Sequence, residues 1–217
     1  MALLASDVIR AARDAHPAFS PGRVAPPVAW RALLRIHQAL VGQVARTSPD
    51  VLTPTVVTAS LPLASFSAGI ALGASILQPL DVTAIDSAGN LSAVELVAYN
   101  VRATAIRHPA ATMLGTTCFL LGDAPWWSQW ASVQVRFIPQ PTMALTDATT
   151  LALPDDALDV CAAKLAFAMA TRLVENGQPA VANSAELAAT AREAEALFLE
   201  RVGAYKRPQT LRIREVF

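Results

Sequence analysis

Two changes of hydrophobic rhythm divide this chain. Up to about residue 50, apolar side chains recur every three or four positions. From Val51 to about Pro141 valine, threonine and leucine become common, prolines punctuate and the helical period fades, and at Pro154 it returns. The pattern predicts an α+β fold: a helical bundle built from N-terminal and C-terminal helices, a central β-rich insert, and an extended C-terminal tail. The expected boundaries are 1–50 for the first helices, 51–150 for the insert, 151–205 for the helices that complete the bundle, and 206–217 for the tail.

The individual elements follow from local signals. Ser6 can cap a short helix over residues 7–15 with Val8, Ile9 and Ala12 on one side, and His16-Pro17 stops it. Pro27 opens a longer helix to about Thr47, in which Trp30, Leu33, Leu34, His37, Leu40, Val41 and Val44 form one stripe. In the insert, residues 81–86 and 91–99 flank Ser87-Ala88-Gly89-Asn90 and read as a hairpin. A second strand pair is expected from residues 117–121 and 132–138, the latter with Val133, Val135 and Phe137 alternating with polar neighbours. Leu153-Pro154-Asp155-Asp156 starts a helix expected to reach Glu175 and end at Asn176-Gly177. Asn183-Ser184-Ala185-Glu186 resembles a capping box before a last helix to about Tyr205.

Apolar residues form 53% of the chain and charged residues 16%, a thin polar coat. It suits a surface covered by neighbouring subunits, and equally the drift of an alanine-rich chain. Zero net charge gives no global reason to expect nucleic-acid or acidic-membrane binding. Cys118 and Cys161 lie in apolar stretches without CxxC or Cys/His spacing, and read as buried thiols. The first residues are too short in apolar length for a signal peptide. The longest apolar stretch, 61–77, is broken by Pro62, Ser65, Ser67, Gly69, Gly73 and Ser75, and is expected to be packed or extended and not to span a membrane.

No catalytic residue, metal ligand or cofactor is expected. His16, His37 and His108 have no acid or cysteine at ligand spacing. Asp155, Asp156 and Asp159 sit where the positive end of a helix dipole accounts for them. A nucleophile elbow, a Walker loop and a dinucleotide fingerprint are all missing. Two segments remain as candidate sites. Trp126, Trp127 and Trp130 crowd one turn, readable as a cap on the open end of the β insert, as an anchor for a partner surface, or more weakly as a carbohydrate platform. The tail carries Lys206, Arg207, Arg212 and Arg214 with Leu211, Ile213, Val216 and Phe217. It can fray into solvent, touch nucleic acid, or dock on a partner; the apolar ending favours docking, by strand addition or groove filling.

With its helix, β-rich middle, Leu-Pro-Asp helix start and protruding tail, the chain resembles head-to-tail adaptor (connector) proteins of tailed bacteriophages and related gene-transfer particles. The likeness is carried by SDVIRAARDAHPAFSPGRV leading into WRALLRIHQALVGQVA, by SVQVRFIPQP before LALPDDALDVCAAKLAFAMATRL, and by AELAATAREAEALFLERV with its tail. The resemblance implies a virion structural protein that is not an enzyme, assembled in the host cytoplasm and located in the particle's neck. Its partners would be copies of itself in a ring, commonly dodecameric, the portal protein, and a stopper or tail protein. Genomic DNA would pass through the ring without sequence-specific binding, and no membrane partner is implied. Residues 28–47, 155–175 and 184–205 would be the packing helices and 206–217 the portal-docking tail. A stopper or tail-completion protein of the same neck is the near alternative. A small carbohydrate- or peptide-binding module using the tryptophan turn is the alternative of another class.

Overall fold

A computed structural model of the chain describes residues 3–63, 68–98, 108–141, 144–175, 178–179, 181 and 183–204. In chain order they form α1 (Ala5–Asp14), α2 (Pro26–Thr47), β1 (Thr55–Ser60), β2 (Ile70–Ala71), β3 (Ile76–Ile85) and β4 (Leu91–Leu96). There follow β5 (Ala110–Leu114), β6 (Thr117–Leu121), α3 (Ala124–Trp127) and β7 (Ser132–Pro139). The chain continues with α4 (Leu158–Ala170), β8 (Val174–Glu175), β9 (Gln178–Pro179) and α5 (Ser184–Ala204). Two compact units result, one from Met1–Leu52 with Pro141–Phe217, the other from Thr53–Gln140.

The expected bundle with a β insert is corrected by this division. The middle of the chain forms a seven-stranded mixed sheet, ordered β1-β7-β3-β4-β5-β6-β2, that curls into a nearly closed barrel. It has its own core, in which Val82, Leu120, Val133, Val135 and Phe137 pack around Trp127. Seven strands meeting through one apolar face bury enough surface to be a structural unit, where a two-hairpin insert would lean on the helices. The alternation read in β7 places Val133, Val135 and Phe137 inward. On the other face Arg136 reaches its cross-strand neighbour Asp81 at 2.9 Å.

Strand pairing differs from expectation at one place. Residues 117–121 and 132–138 are not partners: β6 pairs with β5 and β2, and β7 lies between β1 and β3. The hairpin of β3 and β4 is as expected, with Gly89 at φ 86°. Asp86 organises its turn, accepting from the Ala88 and Asn90 amides at 2.8 and 2.9 Å and from the Asn90 side chain at 2.8 Å. These bonds, the Asn90 side chain's foremost, hold the Asp86 carboxyl below its ordinary range. Pro79 is tolerated inside β3 because the ladder to β7 shifts register there and the pairing with β4 begins only at Val82.

In the other unit α4 is central: α1, α2 and α5 all pack against it. Its sequence, LDVCAAKLAFAMA, carries only Asp159 and Lys164 as charges, and a helix apolar on nearly all sides belongs in the middle. The small alanines let its neighbours approach closely. α1 buries Ala5, Val8, Ile9 and Ala12, but its N-cap is Leu4 with no side-chain cap bond, so Ser6 does not cap it. α2 buries Leu33, His37, Leu40, Val41 and Val44 as its stripe requires, while Trp30 and Leu34 are half-buried. The expected helix to Glu175 stops at Ala170, because Val174–Glu175 pairs with Gln178–Pro179. Residues 141–150 join this unit and not the β insert: the Ala5 amide bonds the Thr149 carbonyl at 2.9 Å, and Leu4 bridges Thr150.

Candidate functional site

The tryptophan turn is built by a short sequence of constraints. β6 ends at Leu121, and Gly122 turns the chain at φ 101°. A Cβ at Gly122 would lie 2.4 Å from Cε3 of Trp126, so only glycine lets that ring lie against the backbone. One turn of helix, α3, then drives Trp127 into the barrel. Trp127 is 1% exposed, and its indole N–H donates to the Leu121 carbonyl at 3.2 Å, which satisfies its polar atom inside the core. Trp126 and Trp130 pack against the same core and are half-buried. The Nε1 of Trp130 is buried without a hydrogen-bond partner. The turn therefore acts as a cap on the core. Its largest fully buried ring, Trp127, is committed to packing, while Trp126 and Trp130 keep part of their surface exposed.

The histidines separate into three structural roles. His37, 1% exposed on α2, accepts the Ala152 amide through Nε2 at 3.0 Å and so pins the irregular stretch before α4 to α2. Burial lowers its pKa to about 4, so it is neutral at physiological pH. His16 accepts the Ala18 amide through Nδ1 at 3.1 Å and caps the 3-10 turn Pro17–Phe19. His108 meets the Glu95 carboxylate on the barrel surface, both side chains more than half exposed. Sequence spacing hides that pair, because parallel pairing of β4 with β5 brings the two residues together.

Among the described residues no three of histidine, cysteine, aspartate and glutamate converge on a point where a metal ion could sit. Asp155 and Asp156 lie in the 3-10 turn that leads into α4, and Asp159 in its first turn, as the dipole argument places them. Cys118 and Cys161 are free and buried, one in each unit, and burial raises both thiols to about 12. At neutral pH neither supplies a thiolate nucleophile.

One surface feature escaped the sequence reading. Arg10, Arg13 and Asp14 of α1 line a shallow groove with Ser6, Pro17 and Ser20, of about 490 Å³. Arg13 keeps its Nε buried there without a partner. The signal was available, since Arg10 and Arg13 sit one turn apart on the side of α1 away from Val8 and Ala12.

The tail residues Lys206, Arg207, Leu211, Arg212, Ile213, Arg214, Val216 and Phe217 lie outside the described residues. The helix that leads to them, α5, buries only Ala191, Phe198 and Val202 and leaves Leu197 about half exposed. No helix of the described residues is long and apolar enough to cross a membrane. Compared with models of known protein families and with curated proteins, the chain matches none.

Proposed function

We propose that this protein is a non-catalytic assembly subunit, the head-to-tail adaptor in the neck of a tailed-phage-like particle, where copies form a ring beneath the portal. The observation that carries the reading is α5. It runs for 21 residues, buries only three of them, and leads directly to a basic tail with an apolar ending. Outside its packing on α4, the rest of this helix is exposed and open to neighbours. The two buried cysteines and the neutral His37 serve packing, which fits a role without bond chemistry. The tryptophan turn gives its largest ring to the core, and this weighs against a binding module built on it.

Particles made without the protein should contain filled heads that fail to join tails or that leak DNA. Infectious particles of normal form would refute the reading. Imaging of complete particles separates the adaptor layer from a stopper layer by position alone. Removing residues 206–217 should leave a chain that folds but no longer binds the portal, and retained binding would remove the tail from the mechanism.

A further inference from the structure

Two exposed helix faces in the helical unit carry opposite charge over similar lengths. Between Pro26 and Thr47 α2 contains no acidic residue. Arg31, Arg35 and Arg46 are exposed and, with Gly42, fall within about 60° of one another around the helix. Arg31 and Arg35 are one turn apart, where like charges repel, and among the described residues neither has an ion-pair partner. On α5, Glu186, Glu193 and Glu200 are exposed at heptad spacing, with Leu197 on the same side, again within about 60°. Arg201 flanks this stripe at its C-terminal edge. Glu195 points elsewhere, held by Lys164 of α4 at 2.7 Å.

The two stripes agree in length, about 22 Å for the arginines and about 21 Å for the glutamates at 1.5 Å per residue. The charges differ in spacing, four and eleven residues against seven and seven, but with Arg31 level with Glu186 each arginine lies within about one turn of a glutamate, Arg46 level with Arg201 and one residue from Glu200. The step from Arg31 to Gly42 equals the step from Glu186 to Leu197. If the helices run parallel with Arg31 beside Glu186, Leu197 meets Gly42. Leu197 is 47% exposed, and the place where a Gly42 side chain would begin has only the Arg46 guanidinium near it, at 4.0 Å. The one large apolar side chain on the acidic stripe thus faces the one notch in the basic stripe.

We infer that the acidic face of α5 docks on the basic face of α2 in a second copy of this chain, with Leu197 seated at Gly42. Such a contact is heterologous: each copy offers a different face to each of two neighbours, and repetition closes a ring when the rotation allows. The inference deepens the ring reading above by naming its interface. Duplex DNA is the other polyanion that α2 could meet, but DNA leaves the matched acidic stripe unexplained.

The test uses two triple variants of the full chain, Arg31→Glu with Arg35→Glu and Arg46→Glu, and Glu186→Lys with Glu193→Lys and Glu200→Lys. In sedimentation velocity at low salt the unaltered chain should associate, at least about tenfold more weakly at high salt. Each variant alone should sediment as a monomer, since like now faces like. Their equimolar mixture should recover the assembly, because every interface then opposes unlike charges. Gly42→Leu, which fills the notch at a site open enough to keep the helix folded, should weaken association at least about tenfold. Should a triple variant melt early, this single change carries the test. Variants that associate as the unaltered chain does would overturn this interface and leave the ring reading standing. A mixture that stays monomeric overturns it too. An unaltered chain that stays monomeric while losing duplex DNA affinity in the arginine variant assigns the face to nucleic acid instead. Presence of the protein in the particle neck is judged separately, by imaging.

Discussion

Replacing His37 by glutamine tests whether a buried neutral imidazole sets the acid tolerance of the helical unit. The ordinary pKa of 6.5 falls to about 4 in the folded chain because burial penalises the imidazolium. The unfolded chain therefore takes up a proton at a higher pH than the folded chain does. Above pH 6.5 the full stability is present; it declines as the pH falls towards 4 and the contribution is then exhausted. The gap between the two values corresponds to about 3 kcal/mol. At neutral pH His37→Gln exchanges the rigid ring nitrogen that accepts the Ala152 amide for a carboxamide oxygen on a more flexible side chain, and should cost about 1–3 kcal/mol. That deficit should shrink by about 3 kcal/mol between pH 7 and pH 4, so that the variant equals or exceeds the parent in acid. Urea unfolding followed by far-ultraviolet circular dichroism measures it, because α1, α2, α4 and α5 all lie in this unit. Subtracting one protein from the other cancels titrations they share. A deficit that stays constant from pH 7 to pH 4 would refute the reasoning.

Three further changes probe the packing. Trp127→Ala should destabilise the barrel by about 3–5 kcal/mol, seen as a lower denaturant midpoint in near-ultraviolet circular dichroism, because it empties the largest fully buried side-chain site. Gly122→Ala combines an unfavourable φ of 101° with a collision on Trp126, and should cost about 1–3 kcal/mol and alter tryptophan emission. Lys164 and Glu195, each about a quarter exposed, should show a coupling of about 1 kcal/mol in a double-mutant cycle by thermal unfolding.

Local chemistry made part of this structure readable. The α2 stripe, the Asp86 turn with Gly89, and the alternation of β7 each depend on neighbours in sequence, and each is present. The barrel was not readable, because its extent is decided by partners far apart. β5, with the sequence AATML, has no alternation that marks a strand, and its place follows from parallel pairing with β4 and antiparallel pairing with β6. Asn176-Gly177, read as a helix stop, lies outside the described residues, and α4 ends earlier, at Ala170.

The candidate sites show the same division at finer scale. Three tryptophans in one turn look alike in sequence, yet their roles are set by what precedes them. Gly122 permits the bend, the bend lets Trp126 lie on the backbone, and one helical turn then carries Trp127 inward to the Leu121 carbonyl. Aromatic content alone could not show which ring enters the core; the glycine and the carbonyl do. The arginines of α2 present the converse case. Their stripe needs only a helical period to be seen, but a polar face usually means solvent. It gains meaning beside an acidic stripe of equal length on α5, and beside an exposed leucine spaced to meet a glycine. An interface between copies would use both stripes and the exposed leucine together, whereas solvation accounts for each face only singly.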